Sequence, residues 1–252
     1  MEGLKCYGAI VGDVVGSIYE FSNRRSKDFP LLKERNRCTD DSVLTIAVHR
    51  ILESKDYSKK NIVNTLKKWT KANPRVGYGN RYFQWAFSDK TEPYNSLGNG
   101  AAMRVSPVAW FAQSEEEVKT LSKLVTEVTH NHPEGLLGAE VTAMCIYYAR
   151  IGKSKEFIRE YASQYYFVDF DYEDLKRANF FSETCEDSVP PAIFCFLISN
   201  SFEDCLRTTV SIGGDTDTLC AISCAIAEAY YKEIDKELLD EVKRRINQIN
   251  IV

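Results

Sequence analysis

Stretch after stretch of this chain carries apolar residues at three- and four-residue spacing, and almost none alternates with period two over the length of a strand. That pattern admits helices and little else. It predicts helices over 42–52, 61–72, 115–128, 135–150, 155–166, 189–199, 203–211, 217–231 and 235–249, joined by brief polar turns. The expected fold is all-α, a compact multi-helix bundle without a self-similar repeat. With 252 residues, 44% of them apolar, the chain can bury a full core. No linker or break in composition divides it, so one domain over residues 1–252 is expected.

A further helix is expected over Tyr7–Glu20, where Gly8, Gly12 and Gly16 recur every four residues and so share one stripe. Each glycine costs a helix roughly 1 kcal/mol against alanine. Close approach of another helix along the stripe accounts for that cost. Asp13 and Glu20 lie in the same apolar segment, and carboxylates are seldom buried unless they are paired or bound to metal. Asp13 suits a structural hydrogen-bonding role as well as a functional one, whereas Glu20 reads as functional.

Charge and cysteine usage narrow the function classes. Net charge is −4, and the basic residues are dispersed apart from short runs such as Lys59-Lys60, Lys67-Lys68 and Arg244-Arg245, which suit solvated helix faces. No basic groove for nucleic acid is expected. The N-terminal segment, interrupted by glycine and carrying Asp13 and Glu20, suits neither a signal peptide nor a membrane span, so a cytoplasmic protein without a membrane partner is expected. The cysteines at 6, 38, 145, 185, 195, 205, 220 and 224 form no C-x-x-C pair and lack a histidine at zinc-ligand spacing, which marks them as reduced packing thiols.

Two acidic clusters carry the chemistry. Thr39-Asp40-Asp41 and Gly213-Gly214-Asp215-Thr216-Asp217-Thr218 supply carboxylates flanked by hydroxyls, and the second opens an apolar helix from a flexible glycine turn. Hard oxygen donors of this kind suit a divalent cation or a pair of them sharing the acids, while the neighbouring Cys38 and Cys220 are too soft to join them. In Tyr94–Arg104, Ser96, Gly98, Asn99 and Gly100 form a glycine-flanked turn that is suited to phosphate and is equally an ordinary turn. Gly77–Tyr82 adds aromatic and basic groups able either to stack on a base or to pack in the core. His130 and His132 precede Pro133 at a helix boundary; His130 suits hydrogen bonding to an anionic or polyhydroxyl ligand, and His132 also suits helix capping.

Taken in order, Gly12-Asp13-x-x-Gly16-x-x-x-Glu20, Thr39-Asp40-Asp41, Ser96-x-Gly98-Asn99-Gly100-Ala101-x-Met103-Arg104, Thr129-His130-x-His132-Pro133 and Gly213-Gly214-Asp215-Thr216-Asp217-Thr218 resemble the ADP-ribosylglycohydrolases. The resemblance spans roughly residues 8–231. It implies an all-α fold with two Mg²⁺ or Mn²⁺ ions at the base of an ADP-ribose cleft. Their ligands would be Thr39, Asp40, Asp41, Asp215, Asp217 and Thr218, with Glu20 in or beside the shell. Ser96, Gly98, Asn99, Gly100 and His130 would hold the diphosphate and adjoining ribose. The implied reaction is hydrolysis at ribose C1″ of an ADP-ribosylated protein side chain, arginine slightly favoured, or of a small ADP-ribose conjugate, releasing ADP-ribose. Glu20, Asp40 or Asp41 would handle the proton. Other readings are a catalytically silent ADP-ribose-binding or structural family member, a metal-dependent phosphohydrolase, and a bundle with a calcium-stabilised acidic patch. Cys224 and Glu228 depart from the small residues common at their positions.

Overall fold

The computed structural model describes residues 3–178, 181–250 and 252. The chain is helical, and no strand occurs among the described residues. In order the helices are α1 (Tyr7–Gly16), α2 (Asp40–Ser54), α3 (Lys59–Ala72), α4 (Asn80–Phe87), α5 (Ser106–Phe111), α6 (Glu115–Glu127), α7 (Pro133–Arg150), α8 (Lys155–Ala162), α9 (Tyr172–Ala178), α10 (Cys185–Ile198), α11 (Phe202–Ile212), α12 (Thr216–Tyr231) and α13 (Lys236–Ile246). A short 3₁₀ turn, Asn99–Ala101, precedes α5.

Residue chemistry sorts these helices into layers. In α1 every residue from Gly8 to Gly16 is buried, and in α12 burial is continuous from Thr216 to Ala227. A helix with apolar residues on all sides must sit at the centre of a protein. The two pack side by side, with α2, α7, α10 and α11 around them. The amphipathic helices α3, α6, α8 and α13 each turn one apolar stripe inward. Their starts are set locally: Ser58, Ser114 and Ser154 accept from the backbone N–H groups of Asn61, Glu117 and Phe157. No described helix is long and apolar enough to cross a membrane.

The glycine stripe explains the central contact. A Cβ at Gly8, Gly12 or Gly16 would stand 2.4, 2.2 or 2.5 Å from the backbone oxygen of Cys224, Cys220 or Thr216, respectively. Only glycine lets α1 lie this close to α12. Glu228, the unexpected acid in α12, accepts from Tyr7 N at 3.1 Å and Gly8 N at 2.7 Å. It caps α1 from another helix, since Cys6 offers no side-chain cap.

Several boundaries differ from the expectation. The first helix stops at Gly16 rather than Glu20, because Ser17 Oγ bonds back to Val14 O at 2.8 Å and Tyr19 N takes Gly16 O in a tighter turn. Glu20 therefore lies beyond the helix. The expected helices over 155–166 and 235–249 stop at Ala162 and Ile246. The one expected over 189–199 begins at Cys185, capped by Thr184, and carries Pro190 and Pro191 inside it. The short helices α4, α5 and α9 have too few turns for periodicity to show them. All eight cysteines are buried and unpaired, in keeping with packing thiols.

Candidate active site

Asp13 sits on the buried face of α1 opposite the start of α2. Its Oδ1 accepts from Thr39 Oγ1 at 2.7 Å, and its Oδ2 accepts from Thr39 N at 2.9 Å, Ser42 N at 3.1 Å and Ser42 Oγ. Asp13 is thus the structural hydrogen-bonder that pins the first turn of α2 to α1. Thr39 also caps α2, accepting from Asp41 N at 3.3 Å, which leaves Asp40 and Asp41 side by side at the helix start.

The second acidic cluster is delivered from the opposite side. Gly213 and Gly214 have φ of 70° and 83°, a left-handed conformation that side chains other than glycine's disfavour. The turn ends α11, reverses the chain and sets Asp215 and Asp217 at the start of α12. Because Gly16 presses on this same turn, α1, α2 and α12 converge. Asp13, Asp41 and Asp217 each bring a carboxylate oxygen within 4.8 Å of the others, and so do Glu20, Asp215 and Asp217. Asp40 belongs to neither group among the described residues, although it lines the same cavity.

Glu20 is held there by a residue with no sequence signal. Asn23 donates its amide to Tyr19 O, Glu20 O and Gly214 O at 2.7, 2.9 and 3.1 Å, and its Oδ1 accepts from Gly214 N at 3.0 Å. One side chain thereby staples the Glu20 segment to the glycine turn. Such a partnership across 191 residues of sequence is invisible to spacing.

Crowding and burial dominate the electrostatics. Desolvation first, and then repulsion from Asp217 and Asp13, push Asp40 and Asp41 well above the usual carboxylate range, with Glu20 adding to the effect on Asp40 and Asp40 and Asp215 to that on Asp41. Asp217 rises for the same reasons, with Asp215 its largest repelling neighbour. Burial raises Asp215 to about 6 against the lowering effect of its hydrogen bonds, including that from Asn99. Glu20, half-buried, is pushed up to about 7 by desolvation and by Asp217 and Glu183. Asp41 Oδ1 is moreover buried with no hydrogen-bond partner. Crowded hard oxygens with an orphaned carboxylate lone pair are the donor set that a divalent cation satisfies, so these residues fit a metal.

The acids line a cavity of about 450 Å³ whose wall also includes Ser96, Gly98, Asn99, Gly100 and His130. The glycine-flanked turn behaves differently from an open phosphate cradle. Gly98 N is bonded to Ser96 Oγ at 3.2 Å, Asn99 N to Glu183 O at 2.7 Å and Ala101 N to Gly98 O at 3.3 Å, so those donors are already spent. The Asn99 side chain faces the acids, donating to Asp215 Oδ2 at 2.7 Å and Ser188 Oγ at 3.0 Å. It couples the turn to the acidic cluster. His130 is buried, with Nε2 beside Gly98 and Gly100 and Nδ1 2.7 Å from Thr129 Oγ1. Desolvation, then Arg104 and Arg81, lower its pKa, so the ring is neutral. His132 instead caps α7, accepting from Glu134 N at 3.2 Å.

The aromatic segment borders the cavity through both Arg81 and Tyr82. Tyr82 is buried and bonds Thr70 at 3.0 Å, and the Arg81 guanidinium lies 5.2 Å from the Tyr94 ring. Sequence reasoning passed over Arg37, Tyr94 and Glu183, which also line the cavity, and left Asp13 undecided.

With this geometry in view, comparison with known proteins gives a consistent result. The family model described as ADP-ribosylglycohydrolase matches residues 6–251. The chain is 27% identical to ADP-ribosylhydrolase ARH3 of Mus musculus over 89% of this chain and 82% of that protein. It is 24% identical to ADP-ribosyl-[dinitrogen reductase] glycohydrolase of Rhodospirillum rubrum over 96% of this chain and 92% of the relative. A solved ADP-ribosylglycohydrolase-related protein complex has the same fold, with a TM-score of 0.72 and 21% identity over 95% of this chain and 93% of the other.

Proposed function

The chain belongs to the ADP-ribosylglycohydrolase family, and from that premise we propose that it is a metal-dependent hydrolase cleaving the glycosidic bond at ribose C1″ and releasing ADP-ribose. The observation that carries this reading is the bond from Asn99 to Asp215, which joins the glycine-flanked turn and the acidic cluster in one cavity. A ligand with a diphosphate, riboses and a scissile bond needs both features within its own length, and a cavity of about 450 Å³ has the size of a small-molecule site. The relatives' printed names, an ADP-ribosylhydrolase and a glycohydrolase of ADP-ribosyl-dinitrogen reductase, point to the same chemistry.

Thr39, Asp40, Asp41, Asp215, Asp217 and Thr218 would hold two Mg²⁺ or Mn²⁺ ions. When bound, the ions would supply Lewis acidity and balance the charge of the carboxylates. Glu20 would take the proton of the attacking water and return it to the leaving group. It is half-buried, lies beside Asp215 and Asp217, and has a proton affinity raised toward neutrality, which suits general acid–base work. Asp40 and Asp41 serve less well in that role, since a cation held by them would keep their lone pairs occupied. Ser96, Gly100 and His130 would orient the diphosphate and ribose, and Asn99 would fix the position of Asp215.

The substrate would be an ADP-ribosylated protein side chain, with arginine the first linkage to test, or a small ADP-ribose conjugate; the freed side chain, or the rest of the conjugate, is the leaving group. The deciding experiment incubates the protein with Mg²⁺ or Mn²⁺ and arginine-, serine- and acetyl-linked ADP-ribose, and identifies the products. Free ADP-ribose supports the proposal. AMP would instead indicate a phosphohydrolase, and binding without turnover would indicate a catalytically silent relative.

A further inference from the structure

Arg104 is fully buried beneath the cavity, yet among the described residues no carboxylate lies within ion-pair distance of it. Its Nε and Nη1 have no hydrogen-bond partner, and its guanidinium stands 5.8 Å from the Tyr82 ring. A buried unpaired cation is expensive to keep. The one short bond it makes runs from Nη2 to Thr129 Oγ1, at 2.7 Å, with a longer approach to Val125 O at 3.5 Å.

That bond constrains its neighbours. A guanidinium only donates, so Thr129 Oγ1 accepts from Arg104 and has a single proton of its own to give. Two atoms are in reach: Thr126 O at 3.4 Å and His130 Nδ1 at 2.7 Å. If Nδ1 kept a proton and donated it, the hydroxyl would be left only the approach to Thr126 O, beyond the normal O–H···O range; with Nδ1 accepting, the hydroxyl makes a bond well inside that range, which assigns its proton to Nδ1. The ring, neutral beside a buried cation, then carries its one proton on Nε2. That nitrogen faces Gly98 and Gly100, where a Cβ would lie 3.7 and 3.3 Å away. With glycine at both places, the N–H stays uncovered toward the cavity.

We propose that Arg104 and Thr129 are positioning residues that fix His130 in the Nε2–H form, making it a dedicated hydrogen-bond donor to an oxygen of the cavity ligand. The donor role rests on the reading of the cavity as an ADP-ribose site; the form of the ring does not. The relay runs one way, from a group that can only donate, through a hydroxyl that accepts and donates, to a ring nitrogen that accepts. It costs the fold a buried charge, and it removes the alternative in which Nε2 would repel a ligand oxygen with its own lone pair.

The test is heteronuclear NMR on the full chain labelled with ¹⁵N-histidine, with the His130 signals assigned by their loss in His130→Gln. Expected for the ligand-free protein is a protonated Nε2 and an unprotonated, hydrogen-bonded Nδ1. In Thr129→Val the Nδ1 signal moves to that of a nitrogen without a hydrogen bond, while Thr129→Ser retains the wild-type spectrum. ADP-ribose affinity should fall about tenfold in Thr129→Val and stay within about twofold in Thr129→Ser. A proton on Nδ1 in the wild-type protein overturns the relay, and so does a Thr129→Val spectrum identical to wild type. If Thr129→Val does not fold, the wild-type and Thr129→Ser spectra still decide. Wild-type protein that fails to bind ADP-ribose refutes the functional reading and the donor role, while the ring spectrum still decides whether the relay exists.

Discussion

Gly16→Ala probes how the centre of the bundle builds the site. A methyl at this position would stand 2.5 Å from Thr216 O, 2.6 Å from Asp217 Cα and 2.8 Å from Asp217 N. Ordinary contact begins near 3.4 Å, and all three atoms are backbone, so no side chain can rotate out of the way. The end of α1 must move off the first turn of α12 by about 1 Å, and overpacking of this kind costs about 1–3 kcal/mol. The better helix propensity of alanine returns at most about 1 kcal/mol. A net loss of up to about 2 kcal/mol lowers Tm by as much as about 8 °C in a domain of this size. Function should suffer more than stability. The displaced turn carries Asp215 and Asp217, and misplacement by about 1 Å can cost about 10²-fold in rate.

The assays are thermal unfolding, calorimetric titration with Mn²⁺ and release of ADP-ribose, all well below the variant's Tm. Gly12→Ala serves as the comparison, because its methyl would meet Cys220 O at 2.2 Å, a turn farther from Asp215 and Asp217. It should destabilise at least as much but spare more activity per degree of Tm lost. Gly79→Ala, whose added Cβ meets nothing within 4 Å, should leave Tm unchanged. A Gly16→Ala protein with wild-type metal affinity and turnover would show that the close α1–α12 approach does not position the acids, and the reasoning would fail.

Glu20→Gln should lower kcat by about 10²-fold or more while metal binding and Tm change little; near-wild-type turnover at saturating Mg²⁺ would pass the proton to Asp40 or Asp41. Asp41→Asn and Asp215→Asn should lose metal and activity together, and elemental analysis showing unchanged stoichiometry in both would refute a shared site at these residues. Asn99→Ala removes the amide that holds Asp215, so calorimetry should show weaker binding of both Mn²⁺ and ADP-ribose, each by about 1–3 kcal/mol; unchanged affinities would return the turn to a purely structural role. Glu228, an acid that burial pushes up to about 7 from 4.5, is favoured in its protonated form by folding, so its contribution is complete below its unfolded value and is lost as pH rises through about 7. The loss amounts to about 3 kcal/mol, and Glu228→Gln should flatten the fall in Tm between about pH 5 and 7; a slope equal to that of the wild-type protein would exclude Glu228 as its source.

Which of these features the sequence disclosed depends on how far apart the partners lie. The long helices were legible because periodicity is local, and the glycine stripe of α1 signalled close packing because only a backbone neighbour justifies three glycines on one face. Both acidic clusters were legible as hard-donor turns, and the cavity does bring Asp41, Asp215 and Asp217 together with Glu20. Ser17 and Tyr19 ended α1 early through bonds of three residues' range, a competition that hydropathy does not register. The partners of Asn99 were hidden for a different reason. Gly-Asn-Gly shows which backbone groups are free to bend, but not that Glu183 and Ser96 would take their N–H groups and Asp215 the side-chain amide.

Asn23 and Glu228 mark the limit of such reading and explain why the site holds its shape. Each is a polar side chain whose value lies in satisfying backbone groups roughly 190 to 220 residues away, Gly214 for Asn23 and Tyr7 and Gly8 for Glu228. Glu228 fixes the start of α1 against the end of α12, and the turn that Asn23 staples lies where the end of α1 meets the start of α12. Between them the glycine stripe leaves no side chain to hold the two helices apart. The acids at the Asp215 end are therefore held by a clamp fastened at both ends of one helix pair. Carboxylates that repel one another as strongly as these can stay within 4.8 Å only in a frame whose other contacts outweigh the repulsion. The tightness of the α1–α12 contact is what lets the fold keep acids from three separate stretches of chain gathered at the proposed cation site.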